Sequence, residues 1–163
     1  MQVPFRIFNT VSNKKHMRII IAFTTISLIL ASCKIRSEKP IVGTWQLISG
    51  TTITKGDTIV TDYTKDRSFI KIINDTHFAF LKHDLKKGKD LSAAFDAGGG
   101  RYSFKNGVYT EHLEYCSARE WEGNDFMFTA IIKNDTLIQS GIEKVEHTGI
   151  NRLNIETYVR LKS

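Results

Sequence analysis

Three dipeptides that favour tight turns, Asn74-Asp75, Asn106-Gly107 and Asn134-Asp135, each separate two short segments rich in β-branched and aromatic residues. Such dipeptides tolerate the left-handed backbone that short hairpin turns require. Each one therefore predicts a β-hairpin. Further strand-like segments and the near absence of a helical period bring the expected total to about nine short strands.

Hairpins in succession predict an all-β fold, and more specifically an antiparallel up-and-down β-barrel of about eight to ten strands. A Greek-key sandwich would need long crossovers between two sheets, whereas the sequence suggests a single long connection, at residues 84–99. A barrel of about eight strands either fills its interior with side chains or holds one small ligand. The strand pattern leaves that choice open.

Residues 1–32 predict a signal peptide that is cleaved. Basic residues precede an uncharged segment at 19–30, and two small residues stand immediately before Cys33. This uncharged segment is too short for a membrane-spanning helix, which needs about 20 residues. Leu30-Ala31-Ser32-Cys33 resembles the lipobox of bacterial lipoproteins, which implies that Cys33 is lipidated. Met17 is an alternative start, which would make residues 1–16 a start-site artefact.

The expected organisation is therefore a leader at 1–32, a lipidated tether at 33–40 and one domain at 41–163. The leader holds four basic residues and no acidic ones, so the net charge falls from +6 for the whole chain to +2 from Cys33 onward. That small charge gives no reason to expect a nucleic-acid partner. Lys34 stands where inner-membrane retention signals carry aspartate, so we expect an outer-membrane anchor through Cys33, with the domain facing the periplasm.

A family resemblance comes from Gly43-Thr44-Trp45-Gln46-Leu47, which is similar to the Gly-x-Trp signature of lipocalins and fatty-acid-binding proteins, the calycin group. Together with the segments at 76–80, 98–100 and 109–115, it resembles a family of small bacterial lipoproteins with one lipocalin-like domain of unassigned function. The resemblance covers residues 41–162. It implies a barrel whose base is closed by Gly43, Trp45 and Arg160, and it brings no established substrate.

Candidate ligand contacts come from the strand expected at 108–116. Strict alternation places Tyr109, Glu111 and Tyr115 on one face. If that face points inward, the Glu111 carboxylate needs a partner, which could be Arg119, Arg101 or a ligand group. Aromatic residues at two-residue spacing on other strands add apolar surface, although core filling is the alternative for each. The predicted ligand-binding residues are Phe78, Phe80, Tyr102, Tyr109, Glu111, Tyr115, Arg119 and Phe128.

The function that these patterns predict is binding or transport of a small apolar or amphipathic ligand in a membrane-anchored barrel. One alternative is a filled barrel that acts as an interaction module in the envelope, and a second is a calycin-type enzyme with Glu111 as acid or base. No catalytic set, cofactor or metal site can be assembled from the spacing of the residues. The connection at 84–99, with Lys86, Lys87 and Lys89, is expected to be either a flap that attracts an anionic group or a solvated connector.

Overall fold

The computed structural model describes residues 40–89, 91 and 93–162, and these residues form nine β-strands and two short 3-10 turns. Cys33, the leader and most of the predicted tether lie outside the described residues. The strands are β1 (Gly43–Thr54), β2 (Asp57–Asp62), β3 (Arg67–Ile73), β4 (His77–Asp84), β5 (Phe95–Lys105), β6 (Val108–Cys116), β7 (Asp125–Lys133), β8 (Thr136–Val145) and β9 (Ile150–Arg160). The 3-10 turns are η1 (Arg119–Trp121) and η2 (Glu146–Thr148).

Eight of these strands close into an antiparallel barrel, which confirms the predicted fold class. From β3 to β9, each strand pairs with the next one along the chain. Strand β1 completes the circle because it pairs with β3 on one side and with β9 on the other. Strand β2 is the additional strand. It pairs with the second half of β1 and exposes most of its residues, including Ile59 and Val60.

The hairpin turns follow the local chemistry of their residues. Asn106 and Gly107 both have positive φ angles, 51° and 78°, as the turn between β5 and β6 requires. Asn134 has a φ of 53° at the turn between β7 and β8. At the turn between β3 and β4, the Asn74 side chain accepts hydrogen bonds from the backbone N–H groups of Thr76 (2.9 Å) and His77 (2.8 Å).

The connection between β4 and β5 is shorter than the sequence indicated. Strand β5 begins at Phe95, so the connection spans residues 85–94 and the glycine run at 98–100 belongs to the strand. A Cβ atom on Gly100 would collide with the carbonyl oxygen of His112 and would lie 2.8 Å from the backbone nitrogen of Glu114. Glycine therefore permits a close approach of β5 to β6.

This close approach coincides with a β-bulge in β6. The pairing register shifts between Gly99, which faces Tyr115, and Gly100, which faces Leu113, so that Glu114 is an extra residue. Beyond the bulge the alternation of inward and outward side chains is reversed. The prediction that Tyr115 faces the interior is therefore wrong, because its side chain points outward and is 68% exposed.

The hydrophobic core fills the end of the barrel that carries the three hairpin turns, which we call the closed end. Trp45 is fully buried there, and its indole Nε1 donates to the carbonyl oxygen of Ile41 at 2.8 Å. The guanidinium carbon of Arg160 lies 4.0 Å from the centre of the Trp45 ring. Two Arg160 nitrogens donate to the carbonyl oxygens of Val42 and Pro40, each at 2.6 Å. Arg160 thus ties the start of β1 to the end of β9.

Candidate functional site

The opposite end of the barrel, the open end, contains a cavity of about 310 Å³. Cavities that hold small molecules in proteins begin at about this size. The cavity lies below η1 and the ends of β3 to β9, where the strands extend past the packed core. Six rings, which we call the aromatic wall, supply its apolar surface: Tyr63, Phe69, Phe80, Trp121, Phe126 and Phe128.

The base of the cavity is polar, and its centre is Lys71. Alternation along β3 turns this residue inward between Phe69 and Ile73, and its side chain is only 3% exposed. The ammonium group donates to Glu111 Oε1 at 2.7 Å and to Gln139 Oε1 at 3.2 Å. A buried charge is stable only when it is paired and hydrogen-bonded in this way.

The hydrogen-bond network continues from Gln139 to β9. Gln139 Nε2 donates to Glu156 Oε2 at 2.7 Å, and the hydroxyl group of Tyr158 donates to the same oxygen, also at 2.7 Å. Burial raises the pKa of Tyr158 well above its ordinary value, and the negative charge of Glu156 raises it further. Tyr158 therefore acts as a neutral donor. The five residues of this network, called the polar floor below, are Lys71, Glu111, Gln139, Glu156 and Tyr158.

Tyr109 lies against the polar floor and is fully buried. Its ring is 5.7 Å from the Lys71 ammonium group. Burial, and secondly the charge of Glu111, raise the pKa of Tyr109 well above its usual value. Although Glu111 is close enough to exert this effect, the Tyr109 hydroxyl group makes no hydrogen bond of normal geometry with any described residue. One buried donor at the floor is thus left without a partner.

A second ion pair lines the side of the cavity. Arg152 Nε donates to Glu143 Oε2 at 2.7 Å, and Asn154 Nδ2 donates to the other carboxylate oxygen at 2.8 Å. The Arg152 guanidinium group lies 5.4 Å from the centre of the Trp121 ring. Burial raises the pKa of Glu143, and the opposing effect of Arg152 does not cancel it. The Arg152–Glu143 pair thus connects the side of the cavity to the Trp121 ring at the open end.

The cavity entrance carries a third ion pair, between Lys82 and Asp96, and the single described cysteine, Cys116. Burial raises the pKa of the Cys116 thiol. A raised pKa keeps the sulfur in its unreactive thiol form at neutral pH. Cys116 therefore contributes to the cavity as a small apolar side chain.

The predicted ligand-binding residues separate into three groups. Phe80, Glu111 and Phe128 line the cavity. Phe78, Tyr102 and Tyr109 are buried in the core and are absent from the cavity lining, and the Tyr102 hydroxyl group donates to the carbonyl oxygen of Asn74 at 2.7 Å. Tyr115 and Arg119 lie outside the barrel cavity.

The partner of Glu111 also differs from the two arginines that the sequence suggested. Arg119 is 81% exposed and pairs with Glu122 at 3.0 Å, while Arg101 pairs with Glu114 on the outer surface at 2.5 Å. Arg101 occupies an outward position of β5, and Arg119 is exposed in η1. The Glu111 partner is Lys71, which lies forty positions earlier in the chain.

Sequence reasoning missed most of the cavity lining, including the polar residues Lys71, Gln139, Glu143 and Glu156. In each case, the residues two positions away in the same strand are mostly buried. Examples are Leu137 beside Gln139 and Tyr158 beside Glu156. A polar residue in the inward phase of an apolar strand was the available signal. The lysines of the connection between β4 and β5 were a weaker guide to the position of the site, because no described residue of this connection, at 85–94, lines the cavity.

Two further features of the described residues bear on function. No three histidine, cysteine, aspartate or glutamate side chains among them converge on a common point where a metal ion could bind. In the same part of the chain, no helix has the length and apolar character needed to cross a membrane.

No protein-family model matches this chain, and no curated protein sequence matches it significantly. Among solved structures, the chain is similar to an uncharacterized protein from Bacteroides eggerthii DSM 20697, with 13% sequence identity and a TM-score of 0.43. That alignment covers 74% of this chain and 98% of the other.

Proposed function

We propose that this protein is a lipocalin-like lipoprotein that binds a small, partly apolar molecule in the cavity at the open end of its barrel. The observation that carries the proposal is an aromatic wall enclosing about 310 Å³ above a polar floor. Small-molecule sites combine predominantly apolar surface with a few fixed polar groups in this manner. The aromatic wall would hold the apolar part of the ligand, and the polar floor would orient its polar group.

The packing of the barrel favours this function over the two alternatives. A filled interaction module would have side chains throughout its interior, whereas here the packed core occupies the closed end and the cavity remains at the open end. A role for Glu111 as general acid or base has little support, because that carboxylate is held in an ion pair with Lys71 at 2.7 Å. Ligand binding is thus the function that fits a barrel packed at its closed end and hollow at its open end.

The proposal is tested by mass spectrometry of small molecules that co-purify with the domain. The variant Ala118→Trp adds a large ring at a half-buried residue that lines the cavity. The matched control Ala93→Trp adds the same ring at an exposed residue outside the cavity. We expect a co-purifying compound in the wild type and in Ala93→Trp and its loss from Ala118→Trp. Equal recovery from all three proteins would contradict binding in the cavity.

We further propose that the domain is tethered to the outer membrane by acyl chains on Cys33 and faces the periplasm. The support is the lipobox-like sequence and the absence of an acidic retention residue at Lys34. Because two or more acyl chains hold a protein durably on a membrane, the wild type should sediment with the outer membrane. Cys33→Ser should be released into the soluble fraction or remain as an unprocessed precursor. Processing and sedimentation of Cys33→Ser like the wild type would refute the anchor.

A further inference from the structure

The charges that line the cavity do not cancel. Each of its three cationic side chains is paired with one carboxylate, and the pairs are Lys71 with Glu111, Arg152 with Glu143, and Lys82 with Asp96. Glu156 is the fourth carboxylate of the lining. No lysine, arginine or histidine among the described residues lies within ion-pair distance of it.

The hydrogen bonds of Glu156 come from neutral groups. Its Oε2 accepts from Gln139 and Tyr158, each at 2.7 Å, while its Oε1 accepts no hydrogen bond from the described residues. The strand register determines the position of Glu156, which in β9 lies opposite Gln139 in β8 and opposite Gly50 in β1. The negative charge therefore stays in the cavity without a positive partner.

The charge of Glu156 contributes to the raised pKa values of neighbouring groups. Burial is the main cause of the raised pKa values of Tyr63 and Tyr158, and Glu156 is the second cause for both. Glu156 also contributes to the raised pKa of Glu143, after burial. Tyr63 belongs to the aromatic wall, Tyr158 to the polar floor and Glu143 to the side of the cavity. The field of Glu156 thus reaches several sides of the cavity.

Resting on the proposed function, we infer that the ligand carries one positive charge, as a protonated amine attached to an apolar or aromatic body, and that the Glu156 carboxylate binds that amine. One positive charge brings the lining and its ligand to neutrality. The aromatic wall suits the same chemistry, because aromatic faces attract cations as well as apolar groups.

An anionic or neutral ligand fits the lining less well. A carboxylate ligand would place a second unpaired negative charge beside Glu156, and like charges in a site of low dielectric repel strongly. The Lys71 ammonium group does not compensate for this, because it is already engaged by Glu111 and Gln139. A neutral ligand would cover Glu156 without pairing its charge, which carries a desolvation penalty.

Three probes with the same indole body separate these cases: tryptamine, which is cationic at neutral pH, tryptophol, which is neutral, and indoleacetate, which is anionic. Their affinities for the wild-type domain are measured by isothermal titration calorimetry. Tryptophol reports on the cavity alone, and the ratio of tryptamine to tryptophol affinity reports on the charge of the ligand. We expect tryptamine to bind about tenfold more tightly than tryptophol, as a charge-assisted hydrogen bond implies, and indoleacetate to bind most weakly.

The variant Glu156→Gln keeps the size of the side chain and removes its charge. It should abolish the preference for the cation, so that tryptamine and tryptophol bind this variant with similar affinity. The matched control Glu114→Gln removes a carboxylate from the outer surface, where Glu114 pairs with Arg101, and should preserve the tenfold preference. If Glu156→Gln fails to fold, the ranking of the three probes on the wild type still decides the inference.

The possible failures are distinguishable. Indoleacetate or tryptophol binding as tightly as tryptamine would overturn the inference and leave the proposed cavity function standing. Unchanged tryptamine affinity in a folded Glu156→Gln variant would do the same. Absence of binding by all three probes would overturn the cavity function and with it the inference.

Discussion

Lys71 and Glu111 form the most buried ion pair among the described residues, with side chains 3% and 9% exposed. We expect Lys71→Met to reduce the free energy of unfolding by about 3–5 kcal/mol, because it leaves the Glu111 carboxylate buried without its cation. The double variant Lys71→Met with Glu111→Leu should lose less than Lys71→Met alone. Urea denaturation of the two single variants and the double variant measures this coupling. Additive losses would show that the pair contributes no mutual stabilisation.

Arg160 stabilises the closed end through its contact with Trp45 and its two hydrogen bonds to backbone carbonyl groups. Lysine cannot reproduce a planar group that stacks on an indole and donates in two directions. Arg160→Lys should therefore lower the free energy of unfolding by about 1–3 kcal/mol. Arg101→Lys is the control, since Arg101 is exposed and its surface pair with Glu114 contributes little to stability. Equal losses in the two variants would contradict a closing role for Arg160.

Glu143 gives the domain a specific pH dependence. Burial raises its pKa above the ordinary value of 4.5, so the folded protein binds this proton more tightly than the unfolded chain does. The resulting contribution to stability is fully present below pH 4.5 and is lost as the pH rises through the raised pKa of the folded state. Glu143→Gln should remove this downward slope. The free energy of unfolding of both proteins is measured by urea denaturation from acid to neutral pH, and parallel curves would refute the prediction.

At the scale of elements, the bulge between β5 and β6 decides which side chains reach the cavity. Gly100→Ala should lower the free energy of unfolding by about 1–3 kcal/mol or more, because its Cβ would meet the rigid backbone of His112 and Glu114. The control Gly50→Ala also substitutes a strand glycine without a positive φ angle, but its Cβ would meet the Tyr63 side chain, which can move. We expect a smaller loss for Gly50→Ala in thermal or urea denaturation. The reverse order would mean that backbone approach at the bulge is not limiting.

The strands and turns could be predicted because their signals are local. Asn106-Gly107 sets its own backbone angles, and alternation identifies the inward phase of a regular strand. The bulge could not be predicted in the same way, since it depends on the approach of two strands at Gly99 and Gly100. One extra residue there was enough to turn Tyr115 away from the interior.

The polar floor was harder to predict than the strands for a related reason. Lys71 meets Glu111 and Gln139 across sequence separations of 40 and 68 residues. Only the closure of the barrel brings these three residues together. Glu111 could be identified alone as a carboxylate in need of a partner, but the choice of Lys71 depends on the register of the three strand pairs between β3 and β6.

At the scale of the whole molecule, the barrel has two halves with different roles. Trp45, Tyr109 and Leu137 belong to a packed core that stabilises the closed end. The open end keeps a cavity whose floor and sides hold several charged groups, which a domain of this size could replace with apolar side chains if stability were their only role. Retained charge in an incompletely filled barrel is the basis of the proposed binding function.

The most direct test of that function is a crystal structure of the domain purified from the envelope of its own cells, without added ligand. We predict continuous electron density for a non-protein molecule between the aromatic wall and the Glu156 carboxylate. A cavity occupied by the side chains of the protein itself, with the aromatic wall collapsed onto the polar floor, would contradict the account.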